Sequence, residues 1–73
     1  MNFKEAKCLV GRYICVKIEH APEDAKRLGR RFEEICGEVI RVEQDSGHPW
    51  LVFDWGISVR LDGIVEWWEE ASE

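Results

Sequence analysis

Three cysteines, two histidines and four tryptophans are the side chains here whose chemistry is worth weighing first. Cys8, Cys15 and Cys36 are odd in number and show no C-x-x-C spacing. That pattern argues against a disulfide scaffold and a zinc ribbon, and predicts reduced cysteines packed as small hydrophobes. His20 and His48 have no ligand-type neighbour at metal spacing, so no metal site is expected. His48 follows Asp45 and Ser46, but in the stretch DSGHP these read as turn residues bonding nearby backbone. Glu33-Glu34 and Glu69-Glu70 are adjacent, which on a strand sends the carboxylates to opposite faces, so solvated charges are expected rather than a catalytic pair. There is no nucleophile–base spacing, no glycine-rich phosphate loop and no metal motif. The sequence therefore predicts a protein that is not an enzyme and carries no cofactor.

The tryptophans are the stronger functional signal. Trp67 and Trp68 are neighbours, so on a strand only one of them faces a core. The other needs a cover, from its own chain or from a partner. Tryptophan joins a large apolar area to an N–H donor, which is why it recurs at binding hot spots. Trp50 and Trp55 stand at the edges of the stretch WLVFDWGISVRL, where a contact surface can be built. Among the cations, Lys26, Arg27, Arg30 and Arg31 lie close together and form either a basic face or a solvated loop and helix end.

Those side chains must be carried by a small scaffold. Seventy-three residues make one domain at most, and such a chain buries a modest core unless something, such as oligomerisation, adds to it. The apolar share of 45% is globular, and the charged share of 34% is high but mixed. No apolar run is long enough for a membrane helix and no signal-peptide pattern is present, so a cytoplasmic protein that binds no membrane is expected. Charge is uneven: residues 1–31 carry +4 and residues 32–73 carry −9, for a net −5. A net acidic chain is a poor non-specific nucleic-acid binder, because that affinity comes largely from neutralising phosphates.

Local patterns then predict the elements. Asn2 and Glu5 form a capping-box pair, Phe3, Ala6 and Val10 fall at helical spacing, and Gly11 is a natural stop, which predicts a short N-terminal helix. RYICVKIE (residues 12–19) alternates: Ile14, Val16 and Ile18 share one face, Tyr13, Cys15, Lys17 and Glu19 the other. From His20 to Gly29 the period changes, with Pro22 suited to a first helical position, acids at 23 and 24, and bases at 26 and 27; one or two helical turns are inserted here. Residues 30–45 read as a second strand whose imperfect alternation and central Gly37 suggest a bulge or bend. Pro49 is expected to end any ladder before Trp50. In the Trp50–Leu61 hairpin, a three-residue loop, Asp54-Trp55-Gly56, pairs Phe53 with Ile57 and Leu51 with Val59, with Gly56 in the left-handed position. Residues 63–71 fit either a helix or a strand. The strand, with Val65 and Trp67 on one side and a frayed acidic tail after it, is the choice that closes a barrel. The fold class predicted is mainly β: a small five-stranded barrel with a short N-terminal helix and a short helical insertion.

The order of these segments resembles the Sm/LSm family. LVGRYICVKI resembles its first strand, GEVIRVEQD its bent second strand, WLVF its asparagine-leucine-valine-leucine run, and VRLDGIVEW its closing isoleucine-arginine-glycine-aspartate segment. Arg60 and Asp62 match that last motif directly, whereas Leu61 stands where the family has glycine and Trp50 falls near its RNA-contacting asparagine. SH3-like barrels share nearly the same strand order. The resemblance implies an RNA-binding route through Arg60 and Asp62.

Three functions follow as expectations. The first is an interaction module that binds a protein partner or itself through exposed aromatics (Trp50, Trp55, Trp68) and sheet edges. The second is a single-stranded RNA binder in which Arg60 and the cluster around Arg30 and Arg31 meet phosphates while Trp50 stacks on a base. The third is an acidic inhibitor whose carboxylates, from Glu33 to Glu73, imitate a nucleic-acid backbone.

Overall fold

A computed structural model of the chain describes residues 1–70. Its elements are α1 (Phe3–Cys8), β1 (Tyr13–Glu19), α2 (Pro22–Leu28), β2 (Phe32–Asp45), β3 (His48–Phe53), β4 (Ser58–Arg60), a 3-10 turn (Leu61–Gly63) and β5 (Ile64–Glu69). The strands form one antiparallel five-stranded sheet in the order β4-β3-β2-β1-β5. The fold is therefore mainly β with two short helices, but the ladder stays open: β4 and β5 occupy opposite edges and do not pair. The acidic tail expected after β5 reaches residues 71–73, outside the described residues. No helix among the described residues is long and apolar enough to cross a membrane.

β2 organises the sheet. Its first half pairs with β1, from Glu19↔Phe32 to Tyr13↔Glu38, and its second half with β3, from Val39↔Phe53 to Asp45↔His48. The strand changes partner just past Gly37. The register shift comes at Ile40, between Val39 and Arg41, which turns Ile40 out to 41% exposure and lets Val42 return to the core side. Gly37 answers a different need: a Cβ there would stand 2.9 Å from Nε1 of Trp55. The core gathers Ile14, Val16, Ile35, Val39, Leu51, Phe53, Val59, Leu61 and Ile64, closed at one end by Ala6 and Leu9 from α1 and its exit. Each such side chain taken fully from water contributes on the order of 1.5–3 kcal/mol.

The expected hairpin register holds: Leu51 pairs with Val59, the Phe53 amide donates to the Ile57 carbonyl at 2.9 Å, and Gly56 has φ +92°. Asn2 caps α1, its Oδ1 accepting from the Glu5 amide at 2.7 Å. Gly29 closes α2 at φ +75°.

Four local expectations are corrected. Pro49 does not stop the ladder: β3 starts at His48, across a two-residue turn in which Ser46 (φ 55°) and Gly47 (φ 79°) are both left-handed. Antiparallel alternation points the nitrogen of Pro49 away from β2, on the side where β4 has already ended, so its missing N–H costs no bond. Val10 does not join the helix face; α1 stops at Cys8, Leu9 is buried and Val10 is exposed. Val65 does not share the core side with Trp67: a register shift opposite Lys17/Ile18 leaves Val65 52% exposed, while Ile64 is buried and Trp67 packs on the core. Finally, Cys15 and Cys36 are not separate thiols. They lie directly opposite in the β1–β2 ladder, Cα atoms 4.0 Å apart, and are joined as a disulfide; Cys8 is free and exposed.

Candidate functional site

Trp50, Arg60 and Asp62 come together. Trp50 and Arg60 are cross-strand partners at the end of the β3–β4 ladder, and Asp62 follows in the 3-10 turn that leaves β4. The Arg60 guanidinium grips the Asp62 carboxylate as a fork, Nε to Oδ1 at 3.0 Å and Nη2 to Oδ2 at 2.5 Å, and the same Nη2 lies 3.2 Å from Nδ1 of His48. This hydrogen bonding to Arg60, reinforced by the positive charge of Arg60, holds the Asp62 carboxyl below the ordinary aspartate value.

These three residues line a cleft whose far wall is Ile18 to Ala21, the exit of β1 toward α2, with Asp24 on the helix above. The near wall is β4, an edge strand paired only with β3. Two buried nitrogens on this cleft, Nε1 of Trp50 and Nε2 of His20, have no hydrogen-bond partner. A buried N–H left unpaired costs roughly 1–3 kcal/mol, and because both nitrogens are closed off from solvent that cost is relieved only if the walls of the cleft shift. The cleft thus offers an aromatic surface and the unpaired edge of a strand. Its charged lining is three carboxylates (Glu19, Asp24, Asp62) and Arg60.

The other predicted residues lie elsewhere. Trp55, 59% exposed at the hairpin tip, lies over Gly37 and donates its indole N–H to the Cys36 carbonyl at 2.9 Å. With Arg30, Phe32 and Ile57 it lines a second hollow. Trp68 is on β5, opposite Cys15, where its N–H donates to Glu70 at 3.1 Å. Three of the four cations of the expected basic cluster are paired: Arg27 with Asp24 at 2.9 Å, Arg30 with Glu33 at 3.1 Å and Arg31 with Glu19 at 2.7 Å. Arg31 and Lys17 also sit over the Phe32 ring, 5.2 and 4.7 Å from its centroid.

Sequence reasoning missed His20, whose place on the cleft follows from the direction in which β1 exits. It also missed the Cys15–Cys36 pair, although Cys15 occupies the face opposite Ile14 and Val16 and a register for β1 on β2 would have exposed the match. Searches against protein-family models, curated proteins and solved structures return no match to this chain.

Proposed function

We propose that this chain is a non-enzymatic interaction module, built as a half-open barrel of SH3- or Sm-like strand order, that takes an extended, basic segment of a partner protein along the free edge of β4. The supporting observation is the juxtaposition of that unpaired edge with the half-buried Trp50 ring on the same cleft. An added strand satisfies edge amides and carbonyls by main-chain bonding, and side-chain contacts then select the sequence. Glu19, Asp24 and Asp62 each already pair with an arginine. A lysine or arginine of the incoming segment is selected by exchanging into these exposed pairs, favoured by the net charge of −5. The barrel reading rests on one core shared by both halves of β2 and on the 3-10 turn that carries the chain from β4 to β5. A cytoplasmic setting remains part of this proposal.

The RNA reading is less favoured. Arg60 is held by Asp62, and Arg27, Arg30 and Arg31 are each held by an acid; phosphates entering these pairs are repelled by a chain of net charge −5, whereas a basic segment is attracted. The test is a fluorescence titration with a lysine-rich extended peptide and, in parallel, a uridine-rich single strand, with solution mass measured across concentration. Saturable peptide binding, weakened roughly 3- to 10-fold in Trp50→Phe by loss of aromatic contact area, is the expected result. Preference for the RNA strand points to the Sm-like route instead. A mass that rises with concentration while both ligands fail makes a second copy of the chain the occupant of the free edges.

A further inference from the structure

We propose that the Cys15–Cys36 bridge is a thiol–disulfide exchange site, attacked at Cys36, with Cys15 as the leaving sulfur. The first observation is register. The two cysteines are direct partners in the middle of the β1–β2 ladder, which continues on both sides from Tyr13↔Glu38 to Glu19↔Phe32. Hydrogen bonding therefore keeps the sulfurs facing each other whether or not they are joined, so the bond opens and recloses without refolding. The second observation is asymmetry. Cys15 is 2% exposed whereas Cys36 is half-buried, so the Cys36 side of the bridge is the more open to an incoming thiolate.

The third observation is what waits beside Cys15. Oε1 of Glu70 accepts from the Trp68 indole at 3.1 Å and lies 3.7 Å from the Cys15 sulfur. While the bridge is closed that sulfur carries no proton, and the contact is not a hydrogen bond. Once the bridge opens, the same carboxylate accepts from a Cys15 S–H.

The chemistry balances with a monothiol as reductant. Its thiolate attacks the Cys36 sulfur, a mixed disulfide forms there, and the Cys15–Cys36 bond breaks. Cys15 leaves with the electron pair and takes a proton. A second monothiol attacks the mixed disulfide, releasing Cys36 as a thiol. The net result is two protein thiols and one disulfide of the monothiol. Held as a donor to the Glu70 carboxylate, the freed Cys15 thiol is kept from re-attacking the mixed disulfide, which prolongs its life.

The experiment uses the oxidised full chain with Cys8→Ser, removing the exposed free thiol. Glutathione is added in graded excess, exchange is quenched with acid, free thiols are then alkylated in denaturant, and adducts are mapped by peptide mass. The expected result is glutathione on Cys36 and the alkyl label on Cys15, with an adduct lifetime several-fold shorter in Glu70→Gln. Full reduction is expected to brighten tryptophan emission, because the disulfide next to Trp68 no longer quenches it, and Trp68→Phe removes most of that rise. Glutathione on Cys15, an even split between the two cysteines, or exchange only after denaturant is added overturns the proposal.

Discussion

Asp62 is the residue whose titration reports most directly on the cleft. Its carboxyl is held low by the Arg60 fork, so in the folded chain it stays ionised into more acid solution than in the unfolded one. A lowered folded value means that its contribution to stability is present above the unfolded value and is lost as pH falls through the folded one. The pair is on the surface, so that contribution is small. The measurable outcome is a carboxyl resonance for Asp62 that titrates below the ordinary aspartate range and moves back up in Arg60→Gln. Arg60 and Asp62 stood out in the sequence only through a resemblance, and the structure adds that they pair. The place of His20 across the cleft from them was not legible, because nothing in a linear string says which residues line the wall facing a given strand. Cysteine spacing failed for the same reason: counting C-x-x-C motifs tests local chelation, whereas a cross-strand bridge between residues 21 apart is set by register.

At the scale of the element, β2 carries the most information per residue. Its alternation is broken, and the break marks the point where one strand serves two partners. The sequence reading recognised Gly37 as special and assigned it to bending. The structure shows instead that the indole of Trp55 and the carboxylate of Asp54 occupy the space a methyl would need, at 2.9 and 3.1 Å. Gly37→Ala is therefore expected to push Trp55 off the strand, break its bond to the Cys36 carbonyl and destabilise the fold by about 1–3 kcal/mol. Urea unfolding measures the loss, and a red shift of tryptophan emission reports the displaced ring. The hairpin from Trp50 to Leu61 was readable because its apolar side chains keep one parity up to the loop. The shifts at Ile40 and Val65 were not, since a bulge inserts a residue without changing composition.

For the whole molecule, the mainly β class and both short helices were visible in periodicity and caps, while closure was not. Closure depends on whether two edge strands meet, and edge strands carry no signature of what lies beside them. The ladder that remains open joins strands from very different distances along the chain. β2, β3 and β4 are linked by two tight turns, at Ser46-Gly47 and Asp54-Trp55-Gly56, whereas β5 docks on β1, with Trp67 opposite Val16 across most of the sequence. Closing that long loop is entropically expensive and is left until late. Folding should thus nucleate in the central meander and finish when β5 zips into place. Stopped-flow kinetics on Trp67→Ala are expected to show unfolding faster by roughly 10- to 100-fold and refolding almost unchanged, whereas Leu51→Ala slows refolding itself. The last strand to arrive is then the first to peel away, and how long the native state survives before it opens is set at that seam rather than in the middle of the sheet.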